Sequence, residues 1–274
     1  MKKKLNTRIL KTFKRNAQNR AFLNMLTCYD FQTAQLLNQS SVDLILVGDS
    51  LGNVVLGYEN TIKVTLDEMI IFSSAVKRGA QDKFVIADLP FGTYSSFEQG
   101  LENAKTLFQK SGVEAIKIEG AYEWELDLIE RLTQIGIPVM GHIGLTPQSV
   151  HELGGYYTHG KDTESAKKLS KQAQDLEKAG CFAVVLECLK PNLASKITKK
   201  LSIPTIGIGA GNDVDGQVLV INDLLKSSPS AIPSFCKPIA DFFQLKKKAL
   251  EDYQRRLDEI SKQPQNDHSP LLNQ

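Results

Sequence analysis

The 274-residue chain is 42% apolar and 23% charged, the balance of a folded globular protein. Its formal charge of +2 argues against nucleic acid or an anionic membrane as the main partner. No apolar run approaches the roughly 20 residues that cross a bilayer, and no apolar core follows the N-terminal lysines as it would in a secretory signal.

The first acidic residue is Asp30, so the opening segment is basic. A mitochondrial presequence is one reading of that. The spacing of Leu5, Ile9, Leu10 and Phe13 favours another, a short amphipathic helix that closes the bottom of a domain. Phe22 to Cys28 then reads as a strand running into Tyr29 and Asp30, and a helix follows with Ala34, Leu36 and Leu37 apolar. The apolar run from Val42 to Val47 is a second strand and ends in Gly48-Asp49-Ser50. A polar loop is expected from Asn53 to Lys63, and Thr65-Leu66-Asp67-Glu68 is a capping box that opens a helix. Lys83 to Ala87 is a third strand, ending at Asp88. Ser95-Ser96-Phe97-Glu98 reads as another capping box, before a helix with Phe97, Leu101, Ala104, Leu107 and Phe108 on one face that stops at Gly112. Ala115 to Ile118 is a fourth strand, ending at Glu119, and its helix carries Trp124, Leu128, Leu132 and Ile135. Ile137 to Gly141 is a fifth strand; Thr146 as N-cap with Pro147 behind it starts a helix. After an irregular insert from Gly154 to Lys161, a helix bears Leu169, Ala173, Leu176 and Ala179. Cys181 to Leu186 is a sixth strand, ending at Glu187, and Pro191 opens the helix of Leu193, Ile197 and Leu201. Ile203 to Ile208 and Gln217 to Ile221 complete eight strands. A long helix from about Pro238 to Ser261 places Phe242, Leu245, Ala249, Tyr253, Leu257 and Ile260 near one face.

Eight β-then-α alternations without a composition break predict a single (β/α)8 TIM barrel domain over residues 1–262, with an N-terminal helix and an extra C-terminal one. An open doubly wound sheet is the alternative, and the strand count separates them. The polar tail 263–274 is expected to be disordered. Cys28, Cys181, Cys188 and Cys236 form no C-x-x-C pair, which suits free, buried thiols in a reducing cytosol better than zinc or disulfides.

In a barrel, side chains at strand C-termini face the active-site mouth. Asp30, Asp49, Ser50, Asp88, Lys117, Glu119, His142 and Glu187 are expected there. So many carboxylates on one rim repel each other unless a cation lies among them. Oxygen donors without a Cys-His cluster favour a hard ion, Mg²⁺ rather than zinc, with Asp49 and Asp88 as direct ligands and Glu119 binding directly or through water. Any one of these acids alone reads more readily as a cap or turn residue than as a ligand; the repetition at three strand ends reverses that and favours a site. Lys117 lies two residues before Glu119 and so shares its face. It suits a substrate carboxylate, or a structural ion pair with a rim acid. Glu187 is the natural general base, since partial burial would raise its pKa towards the working range. His142 is either a substrate contact or a hydrogen-bonded structural histidine, and His151 and His159 read as loop residues. Gly207, Gly209 and Gly211 fit a phosphate loop or a tight βα turn.

Six stretches carry a resemblance: Val47-Gly48-Asp49-Ser50-Leu51-Gly52, Ala87-Asp88-Leu89-Pro90-Phe91, Lys117-Ile118-Glu119-Gly120, the run from Gly141 to Ser149, Leu186-Glu187-Cys188, and Ile206 to Gly211 with Asp215-Gly216-Gln217. In this order, from about residue 22 to 224, they resemble the ketopantoate hydroxymethyltransferase (3-methyl-2-oxobutanoate hydroxymethyltransferase) family. The run from His142 to Ser149 is the most specific. The resemblance implies a barrel of the phosphoenolpyruvate mutase and isocitrate lyase type, assembled as a homodecamer of two pentameric rings in the cytoplasm. It implies Mg²⁺ at Asp49 and Asp88 with Glu119, 2-oxo acid binding by Asp49, Ser50, Asp88 and Lys117, and Glu187 as proton acceptor. The implied reaction transfers a hydroxymethyl group from 5,10-methylenetetrahydrofolate to 3-methyl-2-oxobutanoate, giving 2-dehydropantoate in pantothenate synthesis; the residues that bind folate are not implied. The sequence departs from the family at Asp267-His268-Ser269-Pro270, where many members have a Glu-His-Ser-Phe-like tail, and at Lys226 to Ser234, which lacks the usual glycine-rich look. Two rival readings are another Mg²⁺ enzyme of the same superfamily, such as a lyase acting on a 2-hydroxy acid, and a non-catalytic scaffold barrel.

Overall fold

The structure is a computed structural model that describes residues 4–16, 21–155 and 157–262. The expected disordered tail, with Asp267 to Pro270, lies outside the described residues. The chain divides into two compact units, Met1–Ile221 and Asn222–Gln274.

The first unit is a closed barrel of parallel strands in sequence order, β1 (Leu23–Thr27), β2 (Leu44–Val47), β3 (Phe84–Asp88), β4 (Ala115–Glu119), β5 (Val139–Gly144), β6 (Ala183–Glu187), β7 (Thr205–Ile208) and β8 (Gly216–Leu219). Closure rests on β8, whose Gly216 pairs with Leu23 and whose Leu219 pairs with Leu26, and it rules out the open sheet. Nearly every residue of β2 to β6 is buried, as it must be where strands are covered on both faces.

The helices are α1 (Thr7–Lys11), α2 (Phe31–Gln39), α3 (Leu51–Val54), α4 (Leu66–Gly79), α5 (Phe97–Ser111), α6 (Glu123–Gln134), α7 (Val150–Leu153), α8 (Thr163–Lys178), α9 (Pro191–Lys200), α10 (Ile221–Leu224) and α11 (Phe242–Ser261). The Thr65 capping box is present in full. At α5 the cap is Ser96 rather than Ser95: Ser96 accepts from Gln99 N–H, and the Gln99 side chain reaches back to Ser95 N–H. Thr146 makes no side-chain cap, and Pro147–Ser149 is a 3-10 turn before α7. The expected loop from Asn53 to Lys63 contains the end of α3 and a further 3-10 turn, Thr61–Lys63. Leu36, Trp124 and Ile135 are 65, 45 and 49% exposed, because helices on the outside of a barrel bury only a narrow stripe.

Leu10 of α1 enters the core with Leu23, Met25, Leu44, Phe84 and Phe182, and Leu5 and Phe13 pack against the same cluster. This is the expected closure of the bottom. Phe84 and Phe182 meet edge to face with centroids 5.6 Å apart. The thiols of Cys28, Cys181 and Cys236 are free and buried; that of Cys188 is free and half-buried.

In the second unit, α11 starts at Phe242 and not near Pro238. Asp241 sets the start by accepting from Gln244 N–H at 3.0 Å, and it also pairs with Lys226 at 2.5 Å. No α11 residue is buried, so the apolar face foreseen for it stays exposed.

Candidate active site

Register assembles the site. Asp88 pairs with Lys117 across β3 and β4, Glu119 with His142 across β4 and β5, and Gly144 with Glu187 across β5 and β6. Asp49, two residues past β2, is tied to this row because its own N–H donates to Asp88 Oδ2 at 3.0 Å. Asp49, Asp88, Lys117, Glu119 and His142 are all buried, and the Glu187 side chain is 15% exposed. Lys117 Nζ lies 3.2 Å from Asp88 Oδ1, 3.5 Å from Glu119 Oε1 and 3.1 Å from His142 Nδ1. Ser50 is half-buried and shares a 2.8 Å hydrogen bond with the buried Tyr29 hydroxyl. Asp30 does not join the group. It is exposed and caps α2, accepting from Thr33 N–H at 2.8 Å and from the Thr33 hydroxyl at 2.7 Å.

Burial works to lower the Lys117 ammonium, but Asp88, Glu119, Asp49 and Glu187 outweigh it and hold the group above its ordinary value. Burial and the Lys117 charge likewise oppose protonation of His142; Glu119 and Glu187 overcome them and raise the imidazole to about 9. Its Nδ1 lies 3.2 Å from Glu119 Oε1, so a proton held on Nδ1 points to that carboxylate. Its Nε2 lies 3.2 Å from Glu187 Oε2, a charge contact without hydrogen-bond alignment. Burial pushes Glu119 up, but Lys117 and His142 pull it below the usual carboxylate range. Burial raises Asp49 well above that range, with the charges of Asp88 and Glu119 adding to it. Burial also raises Asp88, with Lys117 only partly offsetting it.

Two buried carboxylates pushed upward fit a divalent cation. Among the described residues, Asp88 Oδ1 is buried without a hydrogen-bond partner, although Lys117 is near. Among the same residues, no three His, Cys, Asp or Glu side chains close into a ready-made metal cage. Mg²⁺ does not require one, since it takes one or two carboxylates and completes its shell with water and substrate oxygens. The donor set of Asp49 and Asp88, with Glu119 beside them, suits it.

Sequence reasoning assigned no role to Gln148 or Tyr94. Gln148 Nε2 donates to Asp49 Oδ2 at 2.8 Å and to Leu89 O at 3.0 Å, its backbone N–H donates to Glu119 Oε2 at 3.1 Å, and its Oε1 accepts from Tyr94 OH at 2.5 Å. The only available signal was its place in the Gly141–Ser149 run. His159 is less of a loop residue than expected, bridging to Leu189 and stacking on Tyr157 at 4.4 Å. Gly211 packs on Pro191, and its carbonyl accepts from Gln217 Nε2 at 2.8 Å; no helix lies between β7 and β8, so the expected βα turn is instead a connection from strand to strand.

Comparison with known proteins places these residues in context. The family model for ketopantoate hydroxymethyltransferase matches residues 7–263. A 3-methyl-2-oxobutanoate hydroxymethyltransferase of Leptospira interrogans (serovar copenhageni, strain Fiocruz L1-130) is 46% identical over 262 residues, covering 95% of this chain and 98% of its own. One from Geobacillus kaustophilus (strain HTA426) is 51% identical over 230 residues, covering 84% and 82%. Among solved structures, a phosphonomutase-like protein of Burkholderia cenocepacia J2315 aligns with TM-score 0.63 at 13% identity, covering 91% of this chain and 97% of its own. The 2,3-dimethylmalate lyase of the PEP mutase/isocitrate lyase superfamily aligns with TM-score 0.54 at 14% identity, covering 88% and 94%. Those likenesses establish the barrel fold alone; the match along nearly the whole sequence establishes more, that the chain belongs to the ketopantoate hydroxymethyltransferase family.

Proposed function

We propose that this chain is a Mg²⁺-dependent 3-methyl-2-oxobutanoate hydroxymethyltransferase that takes its one-carbon unit from 5,10-methylenetetrahydrofolate and makes 2-dehydropantoate for pantothenate synthesis in the cytoplasm. One observation carries the reading. Contacts of 3.2, 3.1 and 3.2 Å run from Asp88 through Lys117 and His142 to Glu187, linking the acids suited to a cation with the acid suited to proton transfer.

Asp49 and Asp88, with Glu119, would hold Mg²⁺, and the bound ion supplies a Lewis acid for the charge that develops on the keto oxygen. Lys117, kept charged by its acidic neighbours, offers the counter-charge for the 2-oxo acid's carboxylate, and Ser50 a hydrogen bond. His142 orients the Glu187 carboxylate through Nε2 and is itself held by Glu119 through Nδ1. Glu187 accepts the C3 proton, and C3 then forms the new bond to the donor's methylene carbon. Both carbon–nitrogen bonds of the donor's methylene break in turn, one giving way to C3 and the other to a water oxygen, with each electron pair returning to its nitrogen and the two nitrogens taking up the protons that C3 and water give up. Water supplies the hydroxyl oxygen, and tetrahydrofolate leaves. The homodecamer belongs to the same reading, and solution mass tests it.

The decisive experiment follows proton–deuterium exchange at C3 of 3-methyl-2-oxobutanoate by NMR, with and without Mg²⁺. Exchange is expected in the wild type with Mg²⁺ and is expected to be lost in Glu187→Gln and in Asp88→Ala. No exchange, even with tetrahydrofolate added, would overturn the substrate or the base and direct the search to 2-hydroxy acids.

A further inference from the structure

The cleft of about 620 Å³ at the barrel mouth, lined by Glu119, Gly120 and Glu125 among others, belongs to the reaction already proposed. A second hollow, of about 590 Å³, shares none of its lining residues. This groove runs along the outside of the barrel between α8 and α9, and it takes in the segments that open both helices, residues 160–163 and 190–193. Lys161, Lys167, Lys171, Lys190, Lys196 and Lys200 line it, and all six are exposed. The whole chain carries a formal charge of only +2, so this is a local concentration of positive charge. Helical spacing aligns four of the six. Lys167 and Lys171 stand about one turn apart on α8, and Lys196 and Lys200 about one turn apart on α9. Like charges at that spacing repel along each helix, and here the two rows also line one groove from both sides.

The nearby carboxylates are already engaged. Asp175 pairs with Lys171 at 2.5 Å and lies 3.8 Å from Lys178. Asp162, the acid in the groove wall, caps α8 and accepts from Glu164 N–H at 3.0 Å, Ser165 N–H at 2.8 Å and the Ser165 hydroxyl at 2.6 Å. Among the described residues, Lys167, Lys190, Lys196 and Lys200 have no ion-pair partner. Between the lysines stand the hydroxyls of Thr163 and Ser170 and the amides of Gln174 and Asn192. Leu193 fills the space that a side chain at Gly160 would need, which closes one end of the groove. Among the described residues, no aromatic side chain lines it. The walls therefore offer nothing to stack on a nucleobase or other flat ring, while ammonium, hydroxyl and amide donors on both sides suit phosphate oxygens.

We propose that this groove binds a linear polyphosphate, free or as the phosphate tail of a nucleotide, with Lys167 and Lys171 along one side of the chain and Lys196 and Lys200 along the other. A chain of anionic groups meets both rows of lysines, whereas a single phosphate meets one turn of them. The bound chain relieves the repulsion between the rows, so it stabilises the folded state as well as occupying it. The site goes beyond the reaction assigned above and depends on no part of it.

Tripolyphosphate, ATP and inorganic phosphate would be titrated into the full chain by calorimetry, in Mg²⁺-free buffer because Mg²⁺ itself takes up phosphate oxygens. Wild type is expected to bind tripolyphosphate about tenfold or more tighter than inorganic phosphate, with an affinity that falls as salt is raised. Lys167→Glu combined with Lys196→Glu reverses one charge on each wall and should weaken tripolyphosphate by about tenfold or more. Lys246→Glu combined with Lys248→Glu makes the same change of charge at exposed positions of α11 and should leave the affinity within about twofold. If the reversed pair does not fold, Lys167→Gln combined with Lys196→Gln should still weaken binding by about fivefold, as for two exposed charge contacts. ATP within about threefold of tripolyphosphate would admit nucleotides by their tails, and ATP about tenfold weaker would reserve the groove for the free chain; both uphold the site. ATP about tenfold tighter would mean recognition of the base, which this groove does not offer, and would overturn it. Absent binding in wild type, wild-type affinity in the groove variants, or an equal loss in the α11 control would overturn it as well.

Discussion

Gln148 holds four groups that no segment of local sequence connects: Asp49, Leu89, Tyr94 and Glu119. Removing it leaves a buried carboxylate oxygen and a buried phenol without their partner, and residues that orient metal ligands typically matter by 10 to 100-fold in metal affinity. Gln148→Ala is therefore expected to raise the Mg²⁺ concentration for half-maximal C3 exchange by about 10-fold or more; an unchanged Mg²⁺ activation curve would show that Asp49 needs no such support. Glu125 makes a pH prediction. Burial pushes its carboxyl from 4.5 up to about 7, against the opposing Tyr122 N–H bond. The folded state thus holds this proton more tightly than the unfolded chain. The resulting stabilisation is fully present below pH 4.5 and is lost as the pH rises through 7, amounting to at most about 3 kcal/mol. In melting curves between pH 4.5 and 8, wild type should lose ground to Glu125→Gln as pH rises; parallel curves would refute the burial effect. The acids at strand ends were legible because each closes an apolar run. Asp30 closes one too, yet it is a helix cap, since a rim acid and an N-cap look alike until the chain turns. Gln148 and Tyr94 were not legible, because their partners are brought together only by barrel closure.

At the level of elements, two glycines fix how strand ends enter the site. Gly120, after β4, has φ +100°, and a side chain there would run into the Glu125 carboxylate. Gly144, at the end of β5, has φ +101°, and a side chain there would strike the Glu187 carbonyl and Leu189. Both positions strain any L side chain, but the obstacles differ: a carboxylate can swing aside, whereas the backbone of β6 cannot. Gly144→Ala is expected to cost about 3 kcal/mol or more in urea unfolding and to lower C3 exchange by moving Glu187, while Gly120→Ala costs nearer to about 2 kcal/mol and disturbs the cleft. Equal losses would mean that β6 yields as easily as a side chain. Strand and helix order was readable from apolar periodicity and caps. The ends moved by a few residues where a cap with the right geometry, such as Ser96 or Asp241, overruled a neighbour with the right chemistry.

Within the barrel unit, the two ends have separate work. The top gathers ionisable groups whose burial is costly, and the bottom is closed by apolar packing around Leu10 and by Asp215. Asp215 accepts from Lys14 Nζ at 2.6 Å, Arg15 N–H at 2.9 Å and Thr205 N–H at 3.0 Å, pinning the segment after α1 to the start of β7. The barrel was legible because strand and helix alternate along most of the chain, although β7 runs into β8 with no helix between them. The limit of the unit at Ile221 was not, because no change of composition marks it. This division predicts that stability and chemistry can be altered independently, as barrels with their reactive loops on one face allow. Leu10→Ala opens a cavity in the bottom cluster and is expected to cost about 3 kcal/mol, within the range for buried leucines. Its melting temperature should fall while Mg²⁺-dependent C3 exchange, measured well below that temperature, keeps its rate. A matching loss of exchange would mean that the packing around Leu10 also sets the strand register on which Asp88, Lys117, Glu119 and His142 depend, and that the two ends of the barrel act as one.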